Sequence, residues 1–463
     1  MTTNQLFARQ VWLEQGWQAD VLITWNEEGM ITDVSSGQQP AADVACADWL
    51  LPGMPNLHSH AFQRVFAGLT EFRQHQADSF WSWRKLMYAF ARQITPEQLE
   101  VIACQLYQEM LEAGYTSVCE FHYVHHQPDG QFYPDPMAMS QALLRAAQKT
   151  GMGMTLLPVL YQNSGFGSLP PEEHQRRFTH SADAFLALWQ QLYPLCRAAG
   201  VKLGIAPHSL RAVTPADLHQ LLAQIHAIDP SAPVHIHVSE QIKEVEDCLA
   251  WSGKRPVAWL LDNFAVDARW CLIHATHMDD REYQRAAASG AVIGLCPTTE
   301  ANLGDGIFDF VQWQRHNGRW GIGSDSHIAV NAAEELLQLE YSQRLLHRQR
   351  NLCCDAQEPD VASYLYRQAL QGGAQASGRP IAGIQCQQRA DFVELDGNHP
   401  VLAGLNPQAI LAAHLFASSR QSAIRRVWTA GKLRKDAGVA AQDANSTGIA
   451  AVRKRVLSTL TQE

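Results

Sequence analysis

LLPGMPNLHSHAFQ, residues 50–63, carries a short apolar segment that ends on His58, Ser59 and His60. Side chains of a β-strand repeat every second residue, so His58 and His60 point to one side and can grip one ion. Neutral imidazole is the commonest protein ligand for zinc. With 20 histidines in 463 residues, chance alone supplies about one such pair, so the motif needs partners elsewhere in the chain.

Downstream of Leu51, apolar strands alternate with amphipathic helices, the order that implies a parallel sheet. One helix is marked by Thr95-Pro96-Glu97-Gln98, an N-cap followed by a first-turn proline and a Gln in the capping-box position. Apolar residues then recur at Leu99, Ile102, Leu106 and Met110 before Gly114. Thr214-Pro215 opens another helix in the same way. Strands are expected near 53–57, 117–121, 154–160, 203–206, 234–238, 271–273, 291–295 and 320–323. Eight such units predict an α/β fold, a (β/α)8 TIM-like barrel, with an open sheet as the alternative that periodicity leaves standing. Polar residues follow nearly every strand: His58 and His60, His122 and Tyr123, His208 and Arg211, His237 and Glu240, His274, Asp325. A barrel gathers those ends on one face, where active sites are built.

The flanks read differently. Residues 1–50 alternate short apolar and polar stretches around the turn Asn26-Glu27-Glu28-Gly29, and 376–435 again look β-like at 390–395 and 425–429. The expected organisation is a barrel over 51–375 and a small composite β-sandwich domain from 1–50 and 376–435. The tail, 436–463, reads as a polar linker and a basic amphipathic helix near 452–460. A formal net charge of -10 disfavours nucleic acid and anionic membranes as partners. With no basic-then-apolar leader and no run of the roughly 20 apolar residues that span a bilayer, a cytoplasmic location is expected. Ten irregularly spaced cysteines without C-x-x-C read as reduced, buried thiols.

His237 lies near the end of Val234-His235-Ile236-His237-Val238, and Asp325 follows Trp320-Gly321-Ile322-Gly323 within GSDSH. With His58 and His60 they form three imidazoles and one carboxylate, a set suited to zinc with room for a water. Each has a plainer reading: His235 or His237 as a hydrogen-bonded core histidine, Asp325 as a helix cap.

LPGMPNLHSHAFQ, HIHVSE with its His237-x-x-Glu240 spacing, His274 and GSDSH together resemble the amidohydrolase superfamily, in its branch of aminohydrolases that remove ammonia from C=N groups. HSHAFQR, WSWR (81–84), EFHY (120–123), PHSLRAV from Pro207 and CPTTEANLGDG from Cys296 narrow the resemblance to deiminases of a linear amidine. It implies hydrolysis of N-formimidoyl-L-glutamate, a small anionic substrate, to N-formyl-L-glutamate and ammonia in histidine degradation. It also implies Zn(2+), one per subunit, on His58, His60, His237 and Asp325, and a homodimer. Two-metal members of the superfamily need a lysine at the end of strand 4; here Ala206-Pro207-His208 stands there and Lys202 precedes the strand.

The same resemblance implies proton transfer by Asp325 and Glu240 and polarisation by His274. Glu240 alone reads as a first-turn carboxylate, and His274 alone as structural. Gln63, Arg84, Tyr123, His208 and Arg211 match substrate-binding positions, the arginines suiting a dianion through bidentate pairing. Arg84 alone reads as the cover of an aromatic helix surface. Glu300 and Asn302 are expected to shape the pocket. The rival functions are an aminohydrolase for a purine, pyrimidine or triazine, and a catalytically silent scaffold.

Overall fold

The computed structural model describes residues 4–71, 80–418, 421–437 and 446–460. Its barrel strands in chain order are β1 (Met54–Ser59), β2 (Tyr115–His122), β3 (Gly153–Leu160), β4 (Lys202–Leu203 resuming at Ala206–Pro207), β5 (Val234–Val238), β6 (Trp270–His274), β7 (Val292–Leu295) and β8 (Arg319–Ile322). β1 to β4 pair in parallel, as do β5 to β8. Bridges Ile205–Val234 and Ser209–His237 join β4 to β5, and Ser59–Asp325 joins β1 to the end of β8. The ring is therefore closed, which excludes the open sheet. β2, β3, β5 and β6 are buried at every residue, as strands covered on both faces must be.

The continuous fourth strand expected at 203–206 is broken at Gly204 and Ile205. The chain passes so close to its neighbours there that a Cβ on Gly204 would lie 2.6 Å from both Leu157 and the Pro233 carbonyl. Helix Pro96–Glu112 begins in the capping box read from Thr95 and Gln98, and helix Pro215–Ile228 starts on Thr214.

The β-sandwich domain is built on one seven-stranded sheet drawn from both ends of the chain. Phe392–Leu395 pairs antiparallel with Ala45–Pro52, which stitches the late strands to the early ones. Leu6, Val21, Ile23, Trp25, Phe392 and Trp428 form a core of its own. The expected linker falls largely on 438–445, outside the described residues. The tail helix runs Ser446–Leu460, earlier than expected, with Val452 and Val456 buried and Arg453 Nε donating to the Val65 carbonyl at 2.9 Å. Of the cysteines, Cys46 and Cys386 are exposed and Cys354 is half-buried, so the reading of all ten as buried does not hold; none is bridged. Among the described residues no helix is long and apolar enough to cross a membrane.

Candidate metal centre and active site

Three strand ends turn through the left-handed region on residues other than glycine: Ser239 (φ 54°), His274 (φ 66°) and Asp325 (φ 41°). Such conformations cost on the order of 1–3 kcal/mol each and survive where surrounding bonds impose them. Asp325 is held by its N–H to the His58 carbonyl at 3.0 Å and by its own carbonyl accepting from His60 at 3.3 Å. The turn re-aims its carboxylate toward the histidines. Oδ1 lies 3.3 Å from both His58 Nε2 and His60 Nε2, and His237 Nε2 is 3.1 Å from His58 Nε2. All four ligand atoms fall within 4.8 Å of one another.

The donor set fits a divalent cation. His60 Nδ1 donates to the Phe121 carbonyl at 2.8 Å and His237 Nδ1 to the His208 carbonyl at 3.1 Å, which leaves bare lone pairs on both Nε2 atoms. Burial, then neighbouring imidazoles, holds His58 and His237 well below the usual histidine range, so neutral ligands are favoured. His235, two residues earlier on the same strand, is fully buried and donates to the Ala376 carbonyl at 2.8 Å; the core reading belongs to it and not to His237. Asp325 caps no helix, since the next one, Ala332–His347, starts on Asn331.

Ser59, between the two ligands, points the other way and donates to Glu120 Oε2 at 2.7 Å; Glu120 Oε1 accepts from Ala61 N–H at 2.7 Å. His327 Nε2 accepts the His60 N–H at 3.2 Å. Burial lifts Glu120 to about 7 despite these donors. Both residues stand inside quoted motifs, EFHY and GSDSH, yet their role in gripping the strand was not read from them.

On the other side of Asp325, Oδ2 lies 3.8 Å from His274 Nε2, and Glu240 Oε1 lies 3.9 Å from the same nitrogen. Glu240 sits before the helix Ile242–Ser252. Glu244 is the acid in the first turn and accepts the Ser239 and Glu240 N–H groups at 3.1 Å. The first-turn reading of Glu240 is thus filled by Glu244. Burial pushes Glu240 up to about 7, against the pull of His274. Burial works against charge on His274, but Glu240, a 3.2 Å bond from Nδ1 to Glu300 and Asp325 raise it to about 10.

His60, Gln63, Arg84, Tyr123, His208, Arg211, His237, Glu240, His274 and Asp325 line one pocket. Gln63 Nε2 donates to Tyr123 Oη at 3.0 Å. Arg84 lies over the Tyr88 ring, as its plainer reading required, but within the pocket; its Nε donates to Tyr88 Oη at 2.6 Å and Nη2 to Tyr161 Oη at 3.4 Å. Gln175 Nε2 donates to the same Tyr161 hydroxyl at 3.0 Å. Arg211 has a buried Nε without a partner among the described residues. Tyr88 and Tyr161 were missed. Tyr161 directly follows β3, so the strand-end rule would have found it, and Tyr88 is one helical turn beyond Arg84. The expectation for the 296–306 loop is corrected: Glu300 stands behind His274, Asn302 donates outward to Glu71 at 2.7 Å, and Leu303 meets the pocket.

Residues 49–434 match the model of the Amidohydrolase family. The chain is 50% identical over 429 residues to the formimidoylglutamate deiminase of Pseudomonas aeruginosa, covering 93% of this chain and 94% of that one. The crystal structure of an amidohydrolase from Brucella melitensis superposes with a TM-score of 0.93 at 45% identity, covering 98% of this chain and 100% of that one. An adenosine deaminase from Xanthomonas campestris, solved with bound zinc, shares the fold at a TM-score of 0.78 and 22% identity, with 98% of each chain covered. With a family match spanning most of its length and a relative identical at half the aligned positions, this chain belongs to the amidohydrolase family.

Proposed function

We propose that this enzyme hydrolyses N-formimidoyl-L-glutamate to N-formyl-L-glutamate and ammonia, the step its Pseudomonas relative is named for. The observation that carries the reading is one pocket in which the His58, His60, His237 and Asp325 quartet faces two arginines, Arg84 and Arg211. A linear amidine with two carboxylates presents a reacting carbon at one end and anionic charge at the other. A flat neutral base offers the arginines hydrogen-bond acceptors but no anionic charge to neutralise. Aromatic rings do line the pocket, but Tyr88, Tyr123 and Tyr161 spend their hydroxyls on Arg84, Gln63 and Gln175; they support polar groups as much as they offer stacking faces.

Three nitrogens and one carboxylate oxygen suit zinc, one per subunit, and Lys202 is committed to Asp229 at 2.8 Å on the far rim, away from any bridging position. A cation there supplies Lewis acidity, drawing the pKa of a water toward about 7. Asp325 accepts the proton of the attacking water. As oxygen adds to the amidine carbon, Glu240 protonates the imine nitrogen and then, recharged with the proton that Asp325 took from the water, the leaving amine. The hydroxyl proton released at collapse restores Glu240, a cycle for which a carboxyl raised by burial is suited. His274, braced by Glu300, stabilises charge at the attacked centre. The C–N bond then breaks, ammonia leaves and the formyl group remains. Gln63, Tyr123 and His208 hold the substrate beside the two arginines.

A cytoplasmic homodimer belongs to the same reading, with domain limits at residues 50, 375 and 435; native mass and limited proteolysis test these. The activity is tested by ammonia release from N-formimidoyl-L-glutamate beside adenine, guanine, cytosine and a triazine. The expected result is a kcat/KM for the amidine at least ~100-fold above any ring, the scale set by a carboxylate left unpaired. Preferential turnover of a ring would overturn the assignment.

A further inference from the structure

Asp325 divides its two oxygens between two sets of ligands. Oδ1 faces His58 and His60, both at 3.3 Å, whereas Oδ2 faces His274 Nε2 at 3.8 Å. Beside His274 and Asp325, the thiol of Cys296 completes a second group whose ligand atoms lie within 4.8 Å of one another. All three side chains are buried: Cys296 0%, His274 1% and Asp325 5% exposed. His274 is also prepared as a ligand, because its Nδ1 is 3.2 Å from Glu300 Oε1. A ring whose other nitrogen donates to a carboxylate is oriented as metal-bound histidines usually are. Cys296 follows β7 and immediately precedes helix Pro297–Leu303, and its N–H donates to the same Glu300 oxygen at 2.9 Å. Glu300 thus fixes both the thiol's backbone and the imidazole.

We propose that His274, Cys296 and Asp325 form a second, inhibitory site for a thiophilic divalent cation, Cd2+ or excess Zn2+, with Asp325 bridging it to the first. Sulfur is what separates this site from its neighbour, whose ligands are nitrogen and oxygen, and it selects soft d10 cations over Mg2+ or Ca2+. Binding releases two protons: the S–H bond of Cys296 and the Nε2–H bond of His274 break, metal–thiolate and metal–imidazole bonds form, and both protons pass to solvent. The site rests on the proposed mechanism only for its consequence. Occupancy takes His274 and the second oxygen of Asp325 away from the reacting centre, so turnover falls. Cys296 itself has no part in turnover.

The test titrates Cd2+ into enzyme already holding one equivalent of zinc. Bound metal is counted after gel filtration, the cadmium–thiolate absorption band is recorded, and ammonia release is followed in parallel. The expected result is a second equivalent bound with zinc retained, a thiolate band, and activity lowered at least ~10-fold, with full recovery on brief chelation. Cys296→Ser and Cys296→Ala, checked for folding by circular dichroism, are expected to keep basal activity, lose the band and the second equivalent, and resist inhibition. A band or inhibition unchanged in both variants would overturn the proposal, as would zinc displaced one-for-one by cadmium. Metal counting and absorption need no substrate, so an enzyme that fails on formimidoylglutamate still decides whether the site exists.

Discussion

Replacing Arg211 by Met removes the charge while keeping much of the side-chain bulk. The guanidinium is half-buried, its Nε lacks any partner among the described residues, and it lines the pocket with Arg84. Removing one member of a buried ion pair costs about 3–5 kcal/mol, largely because the remaining charge is stranded. Half-burial places Arg211 at the lower end, about 3 kcal/mol, which at 1.36 kcal/mol per decade is roughly a 150-fold loss in kcat/KM. The assay is steady-state ammonia release from N-formimidoyl-L-glutamate and from its glutamine analogue, in which the side-chain carboxylate is an amide. If Arg211 meets the side-chain carboxylate, R211M costs little with the analogue; if it meets the α-carboxylate, the loss persists. Either pattern identifies the contact. A loss under about 5-fold with the full substrate would refute the assignment of Arg211 to recognition, since no buried anion would then have lost its counter-charge.

Glu240→Gln is expected to lower kcat by at least ~1000-fold with the metal content of wild type, because an amide cannot relay a proton; unchanged turnover would remove Glu240 from the chemistry. Gly323→Ala is expected to weaken metal retention against a chelator, since a Cβ there would sit 2.8 Å from the Cβ, N and O of His58; an unaltered rate of metal loss would show that β1 and the end of β8 have slack. Acid stability is expected to track His122 and His180, both lowered by burial to about 3 from the ordinary 6.5. A histidine held neutral in the fold contributes its full stability above pH 6.5, and that stability is lost as pH falls from 6.5 toward 3. At one unit below the unfolded value each of the two costs on the order of 1 kcal/mol. Urea midpoints at pH 7.5 and 5.5 measure this, and His180→Gln is expected to flatten the slope; an equal slope in the variant would contradict it.

The clustering of these side chains was legible because barrel strands announce themselves by period and place their next residues on a common rim. His58, His60, His237, His274 and Asp325 all stand at such ends, and spacing alone put each on the right strand. What local pattern does not encode is which buried polar group supports another across the barrel. Glu120 reaches Ser59 from 61 residues away and Glu300 reaches His274 from 26. In the linear sequence neither acid carries a mark that names its partner: Glu120 lies between Cys119 and Phe121, and Glu300 between Thr299 and Ala301. Glu240 and Glu244 show the limit most clearly. Both are buried carboxylates one helical turn apart, and propensity assigns either to the helix start. Ser239, in the left-handed region, ends β5 so that Glu244 folds back onto two backbone donors. Glu240 is left with His274, not a backbone cap, as its near neighbour. The division of labour between the two glutamates therefore depends on one backbone turn, and a serine there carries no mark in sequence that distinguishes it from any other loop serine.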